Sequence, residues 1–393
     1  SMSPLAEVLH DAGLDIRGSD MAESSNTLTL RERGIPIHIG HSADNVTDDI
    51  SFVIRTAAVH DDNPEVHEAH RRGIPVFERT QAWGALMRGY QNALCISGTH
   101  GKTTTTSMCT HIMMAAEKDP TVMIGGTLPL LKACHRVGKG NTIIMESCEY
   151  YNSFLALNPT IAVVLNIEAD HLDFFKDLED IKHSFRCFAE RVPAETGTVI
   201  ANYDDANTMD ALRGIARKVI TFGLNAKADV YAQNIVHRGS VSEFDIYHRG
   251  NYFARVTLHV PGIHNVRNAL AATAAAIVLG VSPNAVKYGL AGFEGAGRRF
   301  DFKGKFQGAD LYDDYAHHPS ELRALLDAVD TLNYQRTIVV FQPHTYTRTK
   351  AFLPEFAKAL SLADHVILAK IYSAREADIY GVSSADIQRL IAK

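Results

Sequence analysis

The 393-residue sequence has no run of about 18 apolar residues, so no membrane-spanning helix is expected. Its opening stretch, SMSPLAEVLHDAGL, lacks the basic start and unbroken apolar core of a secretory signal. Cysteine is sparse. The five residues Cys95, Cys109, Cys134, Cys148 and Cys187 are odd in number and form no C-x-x-C pair. A disulfide framework is therefore not expected, and a reducing cytoplasm is. Basic charge is not in excess either, with 39 Lys and Arg against 45 Asp and Glu, a net −6. That balance gives no general attraction to nucleic acid or to an anionic membrane surface. Long repeats, low-complexity tracts and Gly/Ser linkers are missing, and no complete G-x-G-x-x-G supports a Rossmann dehydrogenase. Trp83, the single tryptophan, carries no functional signal, and Met108, Met113 and Met114 read as core packing.

What is present is ordinary for a globular chain, with 46% hydrophobic and 21% charged residues, over a length that suits about two or three domains. Short apolar strands alternate with helical patterns, which predicts α/β layering around parallel sheets. PLAEVLHDAG reads as a helix, so a strand and loop ahead of it are expected to be missing. LDIRGSD, GIPIHIG, DISFVIRTAAV and GIPVFERT continue a βα rhythm to about residue 80. NALCISG, residues 141–147, 160–167 and 197–205 read as buried strands, and 229–260 as antiparallel strands turning at RGS and RGN. Residues 264–280 form an Ala-rich helix ended by glycine, and ADLYDDYA, RTIVVFQP and HVILAKIY read as strands of a last unit.

The segment CISGTHGKTTTTS joins a strand to a helix through a glycine loop. The usual nucleotide loop, G-x-x-x-x-G-K-[ST], would place its first glycine at position 96, where Ile96 stands; Gly98 takes that role in a loop two residues shorter. Gly98 and Gly101 permit close approach of backbone N–H groups to phosphate oxygens. The helix N-terminus adds partial positive charge, Lys102 a full charge, and Thr103 a hydroxyl for Mg²⁺. Glu146 ends one later strand, and Glu168, Asp170 and His171 follow the next. Ligands of open α/β sheets bind outside the carboxyl ends of strands, so Lys102, Glu146 and His171 are expected to share one crevice.

GTHGKTTTTSM, ESCEYYNSFL, NIEADHLDFF, PGIHNVRNALAA, GAGRRF, YDDYAHHPSEL and FQPHTYTRT occur in the order seen in Mur ligases, which the chain resembles from residue 1 to about 390. The resemblance implies a three-domain α/β enzyme. A Rossmann-like UDP-sugar-binding domain would cover 1–89, a P-loop-type ATPase domain with a mainly parallel sheet 90–296, and a Rossmann-like lid 297–393. It implies ATP-dependent ligation of L-alanine to the lactyl carboxylate of UDP-N-acetylmuramate through an acyl phosphate, giving ADP and phosphate for peptidoglycan synthesis. The enzyme would be a cytoplasmic monomer or homodimer. By resemblance Gly98, Thr99, His100, Gly101, Lys102, Thr103 and Thr104 hold the nucleotide phosphates. Thr103 and Glu146 serve one Mg²⁺, and Glu146 and His171 the other. Arg299 approaches the phosphates, His264, Asn265 and Asn268 lie near adenine, and Asp314 meets the ribose. Arg348, His344 and His317 face substrate, and Asp20 and His41 contact UDP. Lys102, Glu146, His171, Arg299 and Arg348 form the catalytic set. Asn268 and His264 also suit helix-capping roles, and Arg298 a surface one. The sequence departs from the family in lacking the leading strand and glycine-rich loop, in stopping before a last expected strand, and in carrying Thr345 where many relatives have a second arginine. No carbamylated lysine is identifiable between Asp173 and Glu190. A recycling ligase that attaches a preformed tripeptide to the same UDP-sugar shares most of these motifs, and a P-loop regulatory NTPase is a further alternative.

Overall fold

The computed structural model describes residues 2–56, 58–374 and 376–391. Its centre is a ten-stranded sheet. From one edge the strands run Asn251–Leu258, Val241–His248, Val230–Arg238, Lys218–Gly223, Thr198–Asn202, Ile161–Val164, Asn92–Ser97, Thr142–Glu146, Thr121–Leu128 and Ala133–Arg136. The seven strands from Val230–Arg238 to Thr121–Leu128 are parallel; the outer pairings are antiparallel.

Period-two alternation builds both faces of this sheet. Leu94, Ile96, Ile144 and Val163 point into one core with Met108, Ile112 and the Ala-rich helix Ile263–Val278. Ala93, Cys95, Ile143, Met145, Ala162 and Val164 point into the other with Phe185, Phe188, Trp83 and Leu5. A strand buried on both faces needs a continuous apolar run, which is what these segments have. Met108 and Met113 are buried, as a packing role requires, and the five cysteines are free.

Register fixes the strand ends. Ile96 pairs with Glu146, and Ser97 with Val164, so three carboxyl ends meet at one rim. The chain goes to one side of Asn92–Ser97 for Thr142–Glu146 and to the other for Ile161–Val164. That reversal of strand order opens the crevice where open α/β sheets bind ligands.

Ahead of the sheet, Gly18–Asp20 pairs in parallel with Ile37–Ile39, and Val53–Arg55 with Val76–Glu78. Helices Ser25–Glu32 and Pro64–Arg71 start at Ser24 and Asn63, whose side chains accept from first-turn N–H groups. Beyond the sheet, Ile338–Phe341 pairs in parallel with His365–Leu368 beneath helix Pro319–Asp330, around a small core of Leu322, Phe341, Phe356 and Leu360.

Three features differ from the sequence reading. Thr121–Leu128 and Ala133–Arg136 form an edge pair that the Gly125-Gly126 dipeptide disguised as loop. A Cβ at Gly125 would lie 2.4 Å from a Glu146 oxygen and would displace that carboxylate. Lys218–Gly223 is a further parallel strand. ADLYDDYA supplies Ala309–Asp313, but it folds back on Asp301–Phe306 through Gln307 and Gly308, both at positive φ. Such a turn makes a hairpin rather than a strand of the parallel pair. Among the described residues no helix is long and apolar enough to cross a membrane.

Candidate functional site

The glycine loop leaves strand Asn92–Ser97 and enters helix Lys102–Ala115 at Gly101, whose φ of 83° is left-handed. Gly98 also has positive φ and passes so close to the neighbouring strand that a Cβ would lie 2.8 Å from Leu165 Cβ. At Gly101 it would lie 2.7 Å from Asn268 Oδ1. No side chain caps the N-terminus of helix Lys102–Ala115, which leaves its first N–H groups without a side-chain partner.

Lys102 arches back over the loop. Its Nζ donates to Gly98 O at 2.5 Å and Thr99 O at 3.1 Å, and lies 2.9 and 3.2 Å from the two Glu149 oxygens. Burial opposes the ammonium charge, but Glu149 outweighs it, so Lys102 holds its proton more tightly than a free lysine. The Thr103 hydroxyl donates to Glu146 Oε1 at 3.0 Å, and Glu146 Oε2 accepts from Gly125 N at 2.7 Å. His171, at positive φ, stacks on Tyr150 with centroids 4.3 Å apart. Its Nε2 is 3.9 Å from Glu149 and 3.8 Å from Asp170. Burial, the largest influence on it, pushes its pKa down and favours the neutral imidazole.

The carboxylate beside both Lys102 and His171 is thus Glu149, a residue absent from the sequence-derived set. Glu146 was expected to serve Thr103 and His171 together; its recorded contacts are with Thr103 and Gly125. The missed signal lay in ESCEYYNS, where a second carboxylate follows the strand end by three residues.

Behind the loop a cavity of about 330 Å³ separates the middle sheet from the C-terminal segment. Its lining includes Thr104, His264, Asn265, Asn268, Arg299 and Asp314, six residues expected near a nucleotide. Gly262 opens helix Ile263–Val278 at positive φ, and Asn265 Nδ2 donates to Pro261 O at 2.7 Å. Asn268 Nδ2 reaches Asn265 Oδ1 at 3.3 Å. Burial pushes the His264 pKa down to about 4. Both Asp314 oxygens accept backbone N–H groups, from Phe300 and Ala316 at 2.7 Å, while burial raises its pKa. Arg299 Nη1 is 3.8 Å from Glu321, whereas Arg298 is largely exposed and lies over Tyr315.

Arg348 departs from expectation. Instead of presenting a free guanidinium to a substrate carboxylate, it is buried against the protein's own Asp170. Nε and Nη2 each lie 2.9 Å from Asp170 Oδ1, and Nη1 donates to His344 O at 2.6 Å. The guanidinium and the carboxylate are 8% and 6% exposed, so the pair is out of water. Burial alone would raise the Asp170 pKa, but Arg348 outweighs it and holds the carboxyl well below its usual range. His344 stacks on Tyr372, and the His317 Nδ1 donates to Tyr315 O at 2.8 Å.

Asp20 ends strand Gly18–Asp20, and His41 follows its parallel neighbour Ile37–Ile39 by two residues. Asp20 is exposed and accepts from Ala22 N at 3.3 Å. His41 Nδ1 is 3.2 Å from Ser19 Oγ and 3.3 Å from Glu65, whose other oxygen accepts from Asn45.

Three family models match the chain: "Mur ligase family, catalytic domain" over residues 1–91, "Mur ligase middle domain" over 96–276, and "Mur ligase, glutamate ligase domain" over 298–393. A UDP-N-acetylmuramate–L-alanine ligase of Agathobacter rectalis is 47% identical over 392 residues, all of this chain and 85% of the relative. One from Caldicellulosiruptor saccharolyticus is 44% identical over 394 aligned residues, covering 100% of this chain and 86% of the relative. Among solved structures, a UDP-N-acetylmuramate-alanine ligase of Thermotoga maritima superposes with a TM-score of 0.77 at 32% identity, over 94% of this chain and 83% of that one. With all three models matched in order along its length, the chain belongs to the Mur ligase family.

Proposed function

We propose that this chain is an ATP-dependent ligase that joins L-alanine to the lactyl carboxylate of UDP-N-acetylmuramate, with ADP and phosphate as the other products. The observation that carries the reading is whole-chain similarity to relatives of that name, at 47% and 44% identity. The site supports it chemically. A carboxylate repels an attacking amine until one of its oxygens is phosphorylated, and that transfer needs two anions held close together in a field of cations.

Residues 90–296 supply the nucleotide site in this reading, 1–89 the UDP-sugar site through Asp20 and His41, and 297–393 the lid. The glycine loop offers N–H groups to the phosphates, and Lys102 neutralises charge on them. His264, Asn265, Asn268, Asp314 and Arg299 line the nucleotide cavity. The donor set of the Thr103 hydroxyl, Glu146, Glu149 and the neutral His171 fits Mg²⁺, which prefers oxygen ligands and tolerates one imidazole. When bound there, Mg²⁺ draws charge from the phosphate oxygens. His317 and His344 face the incoming substrates, and the reaction takes place in the cytoplasm.

The test is phosphate release from ATP and Mg²⁺ with UDP-N-acetylmuramate and, in turn, L-alanine, glycine, L-serine or the tripeptide. Release that needs both the sugar nucleotide and L-alanine is expected. Release with tripeptide alone would make the chain a recycling ligase, and release that needs neither substrate would make it a regulatory NTPase.

A further inference from the structure

His100 sits in the middle of the glycine loop and, with Glu168, Ser320 and Glu321, lines the nucleotide cavity. Asn166 fixes its peptide group, accepting from His100 N at 2.8 Å and donating to His100 O at 3.0 Å. The ring then crosses to the C-terminal segment. Nε2 is 3.0 Å from Ser320 Oγ and 3.4 Å from Glu168 Oε2, while Nδ1 is 3.2 Å from Glu321 Oε1. The Nδ1 contact is a close ion pair without hydrogen-bond alignment, since that buried atom has no aligned partner. Ser320 and Glu321 open helix Pro319–Asp330, and Glu168 follows strand Ile161–Val164.

The Ser320 hydroxyl is the hub. It donates to Glu168 Oε2 at 2.7 Å and also lies 2.7 Å from His318 Nδ1, while His318 Nε2 donates to Ala169 O at 3.2 Å. A hydroxyl has one proton, and Glu168 takes it, so the His100 contact is made by Nε2–H donating to Ser320 Oγ. Nδ1 faces a carboxylate as well. The ring thus lies between two carboxylates, 3.4 Å from Glu168 and 3.2 Å from Glu321. Burial works against that charge, but Glu168 and Glu321 outweigh it and raise the pKa to about 9. Arg299 reaches the same Glu321 and lines the nucleotide cavity.

We propose that His100 is a positioning residue that latches helix Pro319–Asp330 onto the phosphate loop through Ser320, Glu168 and Glu321. One set of contacts then seats the C-terminal segment and brings Arg299 to the cavity. The proposal rests on the ligase reading and gives the His100 ring a role in seating the segment besides lining the cavity. Four donor atoms from His100, Glu168, His318 and Ser320 also approximate a metal cage, with those of the first three within 4.8 Å of one another. The Ser320 hydroxyl and the His100 Nε2–H supply hydrogens for the Glu168 and His100 contacts without an ion, and the latch needs none.

The experiment is a double-mutant cycle on the full chain with His100→Asn and Ser320→Ala, together with Ser320→Thr. Turnover and the KM for ATP are read by phosphate release, and compaction by solution scattering with a non-hydrolysable ATP analogue and UDP-N-acetylmuramate. Each single variant is expected to lose about tenfold in kcat, the effect of one hydrogen bond to a charged partner. The KM for ATP should move by less than about threefold, and the double variant should be no slower than the worse single one. Ser320→Thr, which keeps the hydroxyl, should restore most of the turnover, and Ser320→Ala should lose compaction. Multiplicative losses in the double variant, or a rise in the KM for ATP confined to His100→Asn, would overturn the latch. So would stoichiometric Zn²⁺ held by the wild type and lost in Ser320→Ala. If His100→Asn does not fold, the serine pair still decides the question. Wild type that shows no sugar- and alanine-dependent turnover defeats the ligase reading, while scattering on Ser320→Ala still tests the latch.

Discussion

Two buried ion pairs flank the crevice, and they differ in what they connect. Lys102 and Glu149 are 47 residues apart and follow neighbouring strands of one sheet, so their geometry does not depend on the C-terminal segment. Arg348 and Asp170 are 178 residues apart and meet only while that segment sits on the middle sheet. Neither pair is an argument for stability by itself, because the desolvation of two charges offsets much of their attraction. The first holds a cation ready at the phosphate loop. The second, with the His100 contacts beside it, makes site assembly depend on closure. Catalysis by phosphoryl transfer requires charge in place before the reaction and water kept out during it. The two pairs divide those tasks between a rigid region and a seam.

The largest expected effect breaks the rigid pair. Lys102→Ala should lower ligation by about 10³-fold or more, the scale of removing a fixed charge from a phosphoryl-transfer site. It also strands the Glu149 carboxylate, so Lys102→Ala with Glu149→Gln should regain thermal stability without regaining turnover. Equal melting temperatures for the single and double variants would show that Glu149 does not depend on Lys102. At the seam, Arg348→Ala leaves Asp170 buried and unpaired, a cost of about 3–5 kcal/mol if the segment stays seated. A milder loss in Arg348→Met with Asp170→Leu, read by denaturant unfolding, would separate the pair's geometry from the cost of an orphaned charge.

The pH dependence sharpens the same contrast. The pKa of His100 is raised to about 9 from an ordinary value near 6.5. Its contribution is therefore complete below about 6.5 and lost as pH rises through about 9. Compaction and turnover should fall together above that pH in the wild type. Ser320→Ala should show a flatter alkaline limb; an unchanged limb would detach the titration from the latch. The smallest effect is expected at the neighbouring arginines. Arg298→Ala, at an exposed side chain, should change stability by no more than about 0.5 kcal/mol and leave turnover near that of wild type, whereas Arg299→Ala should slow it.

The rigid region was legible in the sequence because its chemistry is local. Gly98, Gly101, Lys102 and Thr103 stand within six residues on a strand–loop–helix, and apolar runs of the right length announce the parallel strands. Glu149 was missed because nothing in ESCEYYNS says which of two carboxylates turns toward the lysine. That choice is made by the irregular backbone over Tyr150–Ala156, where Tyr151 and Asn152 adopt positive φ. The seam was the least legible. Arg348 was expected to pair with substrate, and its partner Asp170 lies in another part of the chain, so no spacing rule links them. ADLYDDYA reads as a strand of the last unit, but its antiparallel partner Asp301–Phe306 was not legible, because a strand pattern does not state its partner. Where a contact depends on how one unit seats on another, composition and periodicity carry no signal for it.

The measurement that tests the central claim most directly follows oxygen. UDP-N-acetylmuramate labelled with ¹⁸O in both lactyl carboxylate oxygens is turned over with ATP, Mg²⁺ and L-alanine, and the released phosphate is analysed by mass spectrometry. Carboxylate activation at the glycine loop predicts one ¹⁸O in each phosphate, since the oxygen that attacks phosphorus leaves with it when the amine displaces it. Phosphate released without label, at the rate at which product forms, would contradict that account.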